Sequence, residues 1–329
     1  MKPIVTVLMT VYNGKNYLNE AIESVLCQTL TNYEFLIVDD ASTDNSIEII
    51  NSYNDSRIKL LINQKNIGQT ASLNKGLATA QGKYIARFDQ DDVCLPKRLE
   101  EQVAFFKKTP SITIVCSREY SIDKQGKRTG VWKRDLNNYG AFLGYIILGL
   151  NPVWTPSVMF VKDVFLQLGG FDVAYGPASD FEFWSRIALK RLNAKVVPEF
   201  HQLRRIHNQS QSNFMAVEQS QATKRALSNV IKYFSEEEDN KNLLNTLLLD
   251  NLKINISGDE FTRLGHSQQL TYTDSEVAAA AEVAKMTGVN IACHARADQA
   301  VRMALKHGIN IIYHADYANN KTLDMLEAK

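Results

Sequence analysis

The feature that most restricts this chain is the alternation with which it begins. Ile4–Met9, Glu34–Val38, Ile58–Ile62 and Tyr84–Phe88 are short runs rich in Ile, Val, Leu and aromatic residues. Each is bounded by polar or turn residues, as strands are. Between them Tyr17–Cys27, Asn45–Tyr53 and Thr70–Ala80 carry apolar residues at helical spacing. Near-continuous apolar strands joined by crossover helices predict a mostly parallel sheet covered on both faces. In such sheets ligands lie beyond the carboxyl ends of the strands.

That rule gathers the polar residues. Thr10, Tyr12 and Asn13 follow the first strand, Asp39 and Asp40 the second, Asn66 and Gly68 the third. The fourth runs into RFDQDDVCLPKRL, where Asp89, Asp91 and Asp92 crowd together. A solvated turn would tolerate such crowding; a divalent cation carried by a charged substrate would repay it, and hard oxygen ligands suit Mg²⁺ or Mn²⁺. No GxGxxG follows the first strand and no GxxxxGK[ST] occurs, which removes most of the weight from dinucleotide oxidoreductases and P-loop enzymes.

Composition excludes other classes. Among 329 residues, 37 Lys+Arg balance 36 Asp+Glu, so no global field recruits nucleic acid or an acidic membrane surface. The four cysteines form no zinc or CxxC pattern, which suits a reducing compartment. The opening MKPIVTVLMTVYNG runs straight into a strand with no small-residue cleavage site, so no secretory leader is expected. The longest apolar run, AFLGYIILGL at 141–150, falls short of the roughly 20 residues that span a bilayer and reads as a buried helix, with membrane-surface attachment as the alternative. A cytoplasmic protein, with peripheral association at the inner membrane face left open, is the expectation.

The stretches IVTVLMTVYNGKNYLNEAIESVLCQT (4–29), IVDDASTD (37–44), NIGQTASLNKG (66–76) and QGKYIARFDQDD (81–92) together resemble the nucleotide-sugar-binding half of family 2 glycosyltransferases. The resemblance covers about residues 3–215. It implies an A-type glycosyltransferase fold, Rossmann-like with a mostly parallel sheet. It also implies a nucleotide-diphospho-sugar donor, UDP-linked by preference, a carbohydrate or glycoconjugate acceptor, a divalent cation (Mn²⁺ or Mg²⁺), and inversion at the anomeric carbon.

Carried over residue by residue, Thr10 and Tyr12 match positions around the base and ribose, with a half-buried packing role as Tyr12's alternative. Asp40 matches the acceptor of a uracil imide hydrogen, with Asp39 beside it; DDASTDNS is equally a good capping and turn sequence. Asn66 and Gly68 fall on the same donor side. Asp92 matches the direct metal ligand, Asp89 shares that site, and Asp91 lies near the ribose or sugar. Repulsion among the three should raise at least one pKa. In PASDFEFWSRIA (177–188), similar to a Glu-Asp-x-x-x-Trp segment, Asp180 falls on the catalytic base and Ser179 replaces the usual Glu. A helix N-cap is the alternative for Asp180, and Glu182 is the near alternative as base. RRIHNQSQS (204–212) resembles a segment that closes over the diphosphate, making Arg205 a leaving-group contact and His207 a leaving-group contact or metal ligand.

Past the polar SEEEDNKN (235–242) the chain changes character. Residues 249–329 read as strands and helices in which VNIACHA and INIIYHAD end in histidines, resembling part of a metal-dependent amidohydrolase barrel. The resemblance implies a bridging Lys253 and metal-binding His294 and His314 on successive strand ends. The His-x-His of a first barrel strand and the late Asp are absent. The expected organisation is a transferase domain at 1–235, a junction at 236–250, and a partial (β/α) barrel-like segment at 251–329. Open sheet edges in that segment leave self-association open. A zinc-type hydrolase and a non-catalytic nucleotide-binding or assembly module are the competing functions.

Overall fold

The computed structural model describes residues 2–132, 136, 139–207, 215–236, 253–255, 274–275, 277–278, 281–282, 292–309, 311–317 and 322. The chain divides into two compact units, one of residues 1–142 and 149–227, the other of 143–148 and 228–329. The division falls inside the helix Ala216–Glu236, earlier than the junction expected at 236–250, most of which lies outside the described residues.

In the first unit the expected alternation is present. The strands are β1 (Val5–Val11), β2 (Tyr33–Asp39), β3 (Ile58–Ile62) and β4 (Tyr84–Asp89). The helices are α1 (Leu18–Leu26), α2 (Ser46–Asn51) and α3 (Gln69–Thr79). β1 is buried along its whole length because it lies between β2 and β4, both parallel to it, with Val7 opposite Phe35 on one side and Ala86 on the other. Successive side chains alternate faces. Val5, Val7, Met9 and Val11 join Leu18, Ala21, Ile22 and Val25 of α1 in one core. Leu8 and Val38 turn the other way, and a Cβ on Gly76 of α3 would fall within 3.0 Å of both. Helices therefore cover the two faces.

Beyond β4 the sheet stops being parallel. The later strands are β5 (Val93–Cys94), β6 (Ile112–Ile122), β7 (Arg128–Trp132), β8 (Met159–Val161) and β9 (Asn193–Arg205). The order is β3-β2-β1-β4-β8-β6-β9-β5, with β7 on β6. β8 is antiparallel to both β4 and β6, β6 is parallel to β9, and β5 is antiparallel to β9. The sheet is thus mixed, where a mostly parallel one was predicted. The remaining helices of this part are α4 (Arg98–Lys108), α6 (Lys162–Gln167) and α7 (Ser179–Leu189), while the helix α5 (Tyr139–Ile147) begins in the first unit and its residues from 143 on are assigned to the second. α5 is the expected buried apolar helix: Phe142, Leu143 and Ile146 have no exposed surface. Among the described residues no helix is long and apolar enough to cross a membrane.

The second unit contains a parallel sheet of β10 (Lys253–Asn255), β11 (Ala292–Ala297) and β12 (Ile311–Tyr317). The helix Asp298–Lys306, which buries Val301, Ala304 and Leu305, joins the last two strands. The register does not bring the three expected ligands into one row. Lys253 opens its strand opposite Ala292, while His294 lies opposite Asn255 and His314 opposite Ala295. Lys253 is thus the first residue of β10 as described.

A buried polar knot sets the spacing between α3 and β4. Glu34 accepts from the Thr6 hydroxyl at 2.5 Å and from Gln81 N–H at 2.6 Å, while Gly82 N–H donates back to Thr6 Oγ1 at 2.9 Å. A Cβ at residue 82 would stand 2.4 Å from the backbone nitrogen of Thr6. Backbone cannot swing aside as a side-chain tip can, so Gly82→Ala should destabilise the fold by about 1–3 kcal/mol or more. Urea or thermal unfolding checks this, and an unchanged midpoint would show that the turn relaxes freely.

Candidate active site

The carboxyl ends of β1, β2 and β4 and the loops after them line a cleft of about 960 Å³ in the first unit. Thr10, Tyr12, Asp40, Asn66, Gly68, Asp89, Asp91, Asp180 and His207 all line it, so the expected donor-side and acceptor-side residues share one space. Tyr12 follows β1 directly and is 46% exposed, leaving a ring face open. Gln90 holds it there, accepting from Tyr12 N–H at 2.9 Å and donating to its carbonyl at 3.2 Å.

Asp40 is buried and anchors the loop after β3. Its Oδ1 accepts from Asn63 and from Ile67 N–H, at 2.8 and 2.9 Å, and its Oδ2 accepts from Gly68 N–H at 2.8 Å. Gly68, at φ +88, begins α3 in a conformation that favours glycine. Asn66 Oδ1 accepts a second contact from Gly68 N–H at 3.1 Å. Asp39 is placed differently from the expectation. It has no exposed surface, its Oδ1 caps the turn through Ser42 N–H at 2.9 Å, and it does not line the cleft. Asp39 makes the turn contact that DDASTDNS offered, and the alternation along β2 points it away from its neighbour Asp40.

The three crowded carboxylates separate into three environments. Asp89 faces the cleft with Arg87 at 3.1 Å; burial, then the charge of Asp91, raises its pKa despite that arginine. Asp91 is partly exposed and lies 2.7 Å from His207 Nε2. Tyr17 tilts against the same imidazole at 5.2 Å between ring centroids. Asp92 is buried, and its oxygens turn to β9, accepting from Gln202 at 2.5 Å and from Arg205 N–H at 2.9 Å. Burial and the neighbouring Asp91 raise its pKa well above the ordinary carboxylate value. Asp92, the expected direct metal ligand, fastens the loop to β9 through both oxygens, and it lines the cleft together with Asp89 and Asp91.

Arg205, the expected leaving-group contact, lines the cleft with its guanidinium already engaged. Its side chain is 2% exposed, and the guanidinium donates to the carbonyls of Asp91 and Asp123 at 3.0 and 3.2 Å and to Glu20. It stacks 4.6 Å from the Tyr17 ring centre. It braces the Asp91 loop at the edge of the cleft.

On the opposite side, Asp180 lies in the first turn of α7. Its Oδ2 accepts from the Thr155 hydroxyl at 2.7 Å and from Asn151 at 3.4 Å, and its Oδ1 accepts from Phe181 N–H at 2.7 Å. Ser179, in place of the usual Glu, bonds Thr70 at 3.0 Å. Glu182 is taken by a salt bridge to Arg186 at 2.6 Å, which leaves Asp180 as the carboxylate facing the cleft on this wall. Thr155, Asn151 and Trp154 were not found from sequence; NPVWTPS, standing between an apolar helix and a strand, was the available signal.

Among the described residues no group of three His, Cys, Asp or Glu side chains is arranged to hold a metal by itself. The donor set of Asp91 and His207 nevertheless fits a cation completed by substrate oxygens, because Mg²⁺ and Mn²⁺ sites commonly use one or two protein ligands plus phosphates and water.

With that geometry in place the comparisons are direct. The sequence profile of glycosyl transferase family 2 matches residues 6–161. An uncharacterized glycosyltransferase of Methanocaldococcus jannaschii, MJ1057, is 35% identical over 211 residues, spanning 63% of this chain and 72% of that protein. The Escherichia coli UDP-Glc:alpha-D-GlcNAc-diphosphoundecaprenol beta-1,3-glucosyltransferase WfaP is 32% identical over 58% of this chain and 73% of its own. Staphylococcus aureus TarS 1–349, solved with UDP-GlcNAc, aligns with a TM-score of 0.59 at 15% identity, over 99% of this chain and 89% of that one. The chain belongs to glycosyl transferase family 2. It is a glycosyltransferase built on the A-type fold. These relationships lend no support to the amidohydrolase resemblance of the C-terminal segment.

Glu119 of β6 is buried with no exposed surface, and neither carboxyl oxygen makes a hydrogen bond among the described residues. Burial, with Asp92 nearby, pushes its pKa up to about 9 against the pull of Arg204. The folded state therefore holds a proton that the unfolded chain releases, so this group removes stability as pH rises from about 4.5 to about 9. Wild-type melting temperature should fall more steeply across that window than that of Glu119→Gln; parallel curves would contradict the assignment.

Proposed function

We propose that this glycosyltransferase moves a sugar from a UDP-linked donor to an acceptor hydroxyl, with inversion and with help from a divalent cation, in polysaccharide or glycoconjugate synthesis. The observation that carries the reading is that Asp91 with His207, and Asp180 with Thr155, occupy one cleft. The exposed Tyr12 ring offers the base a stacking face. Asp40 Oδ2 accepts one N–H, and a carboxylate oxygen has a further lone pair with which to take a uracil imide hydrogen. WfaP, named for UDP-Glc and a diphosphoundecaprenol-linked acceptor, supports the same donor class and an acceptor of that kind.

Asp91 and His207 would hold the cation, whose chemistry when bound is to neutralise charge on the departing diphosphate. Asp180 takes the proton from the acceptor hydroxyl as its oxygen attacks the anomeric carbon. Thr155 and Asn151 hold the carboxylate in place by donating to Oδ2, and the lone pair of Oδ1 that Phe181 N–H does not use is the one free to take the acceptor's proton. One base and a leaving group suffice, and no covalent intermediate is needed.

Asp180→Asn should lower kcat by roughly 10²–10⁴-fold with donor affinity nearly unchanged. Asp91→Ala should instead remove the Mn²⁺-dependent part of UDP binding, read as the loss of a Mn²⁺-dependent thermal shift with UDP. Wild-type turnover in both variants with a panel of nucleotide-sugars would end this reading. The second reading, a non-catalytic nucleotide-binding module, predicts donor-dependent stabilisation but no nucleoside diphosphate release in the presence of any acceptor.

A further inference from the structure

Three arginines line the cleft, and two are engaged: Arg87 pairs with Asp89, and Arg205 is buried among the Asp91 and Asp123 carbonyls and Glu20. The third, Arg204, is different. Its guanidinium lies 4.0 Å from the centre of the Trp154 ring, with 28% of the side chain exposed. Its Nε lies 3.2 Å from buried Glu119, and its terminal amino groups make no hydrogen bond among the described residues. Stacking fixes the plane of the fork while leaving its in-plane donors unused, the arrangement that suits bidentate binding of a tetrahedral oxyanion. Glu119, protonated at neutral pH, does not cancel the charge.

Strand alternation decides which substrate meets this fork. Arg205 turns toward Tyr17 and the Asp91 loop, and Arg204, the preceding residue of β9, turns to the opposite face. There it stacks on Trp154, whose chain neighbour Thr155 donates to Asp180. The structure assigns Arg204, held flat on Trp154 above Glu119, as an anion subsite on the acceptor side of the cleft that takes a phosphate carried by the sugar acceptor. This deepens the transferase reading and rests on it for the acceptor role of the Asp180 wall. A phosphate could also come from the donor's diphosphate, and the two sources are separable.

The test is calorimetry on the full chain with two probes. Inorganic phosphate is titrated into protein alone and into protein presaturated with UDP and Mn²⁺; UDP is titrated separately. Wild type should bind phosphate in both states. Arg204→Gln should lose about 10- to 100-fold of that affinity, the range expected for charge-assisted hydrogen bonds, with UDP affinity unchanged. Arg204→Lys, which keeps the charge but not the planar fork, should fall between, and a native-like melting temperature for either variant excludes misfolding as the cause. The assignment is overturned if wild type takes no phosphate, if Arg204→Gln binds it as tightly, or if the variant weakens UDP instead, which would place the donor diphosphate on Arg204. If UDP fails to bind wild type while phosphate binding still depends on Arg204, the donor reading falls and the anion subsite stands.

Discussion

The hydrogen bonds of the buried Asp92 carboxylate hold this site together. Two oxygens join the loop after β4 to Gln202 and to the backbone of Arg205, at the far end of a strand more than a hundred residues later. Gln202 in turn accepts from buried Arg98 at 3.1 Å, and Arg98 donates to the Arg87 carbonyl at 2.7 Å. β4, β5 and β9 are thereby tied by a polar network in the interior, where an unmatched partner would be expensive to leave unpaired. Everything at the end of β9 takes its position from this tie. Arg205 is held against the Asp91 loop, His207 reaches Asp91, and Arg204 faces Trp154.

The same tie explains how three like charges coexist. Repulsion between neighbouring carboxylates is tolerable when each has its own compensation. Asp89 has Arg87, Asp92 has two donors in a buried setting, and Asp91 has His207 and the edge of solvent. A proton or a cation would relieve what remains, which is why the crowding belongs to a charged-substrate cleft. The Asp180 wall is built on other principles. Asp180 starts a helix and is oriented by Thr155 and Asn151, both from the segment between α5 and β8. Local backbone conformation contributes as well: Asn13 and Ala41, on loops flanking the cleft, adopt positive φ of 51° and 61°. Such conformations persist where surrounding contacts over-determine them. Asn13 is fixed across the two loops, its N–H donating to Ser42 Oγ and its Oδ1 accepting from Thr43 N–H.

Legibility in the sequence followed the range of the interaction. The runs Ile58–Ile62 and Tyr84–Phe88 and the helix pattern of Thr70–Ala80 matched elements of the structure within two residues, because strand and helix periodicity are local. Convergence of Tyr12, Asp40, Gly68 and Asp91 on one cleft followed from the topology of parallel strands. The contacts that hold Asp39, Asp92 and Arg205 were not legible in the sequence, for a common reason. A motif names which residue types stand together, and adjacent residues in a strand or tight turn face opposite ways. Which one faces the cleft depends on a partner strand, here β9, that no local pattern announces.

By itself the sequence determined the alternation of strands and helices in the first unit, the edge on which its polar residues collect, and membership of a family whose motifs are carried in order from Ile4 to Asp92. Only the tertiary structure decided that the sheet turns mixed after β4, that Asp92 and Arg205 are buried braces, and that Asp89, Asp91, His207, Asp180 and Arg204 are brought together in one cleft. The physical reason is burial. Charge and residue type can be read from a chain one position at a time, but whether a charged group is paired in the interior or open to a substrate is settled by segments distant in sequence that pack around it.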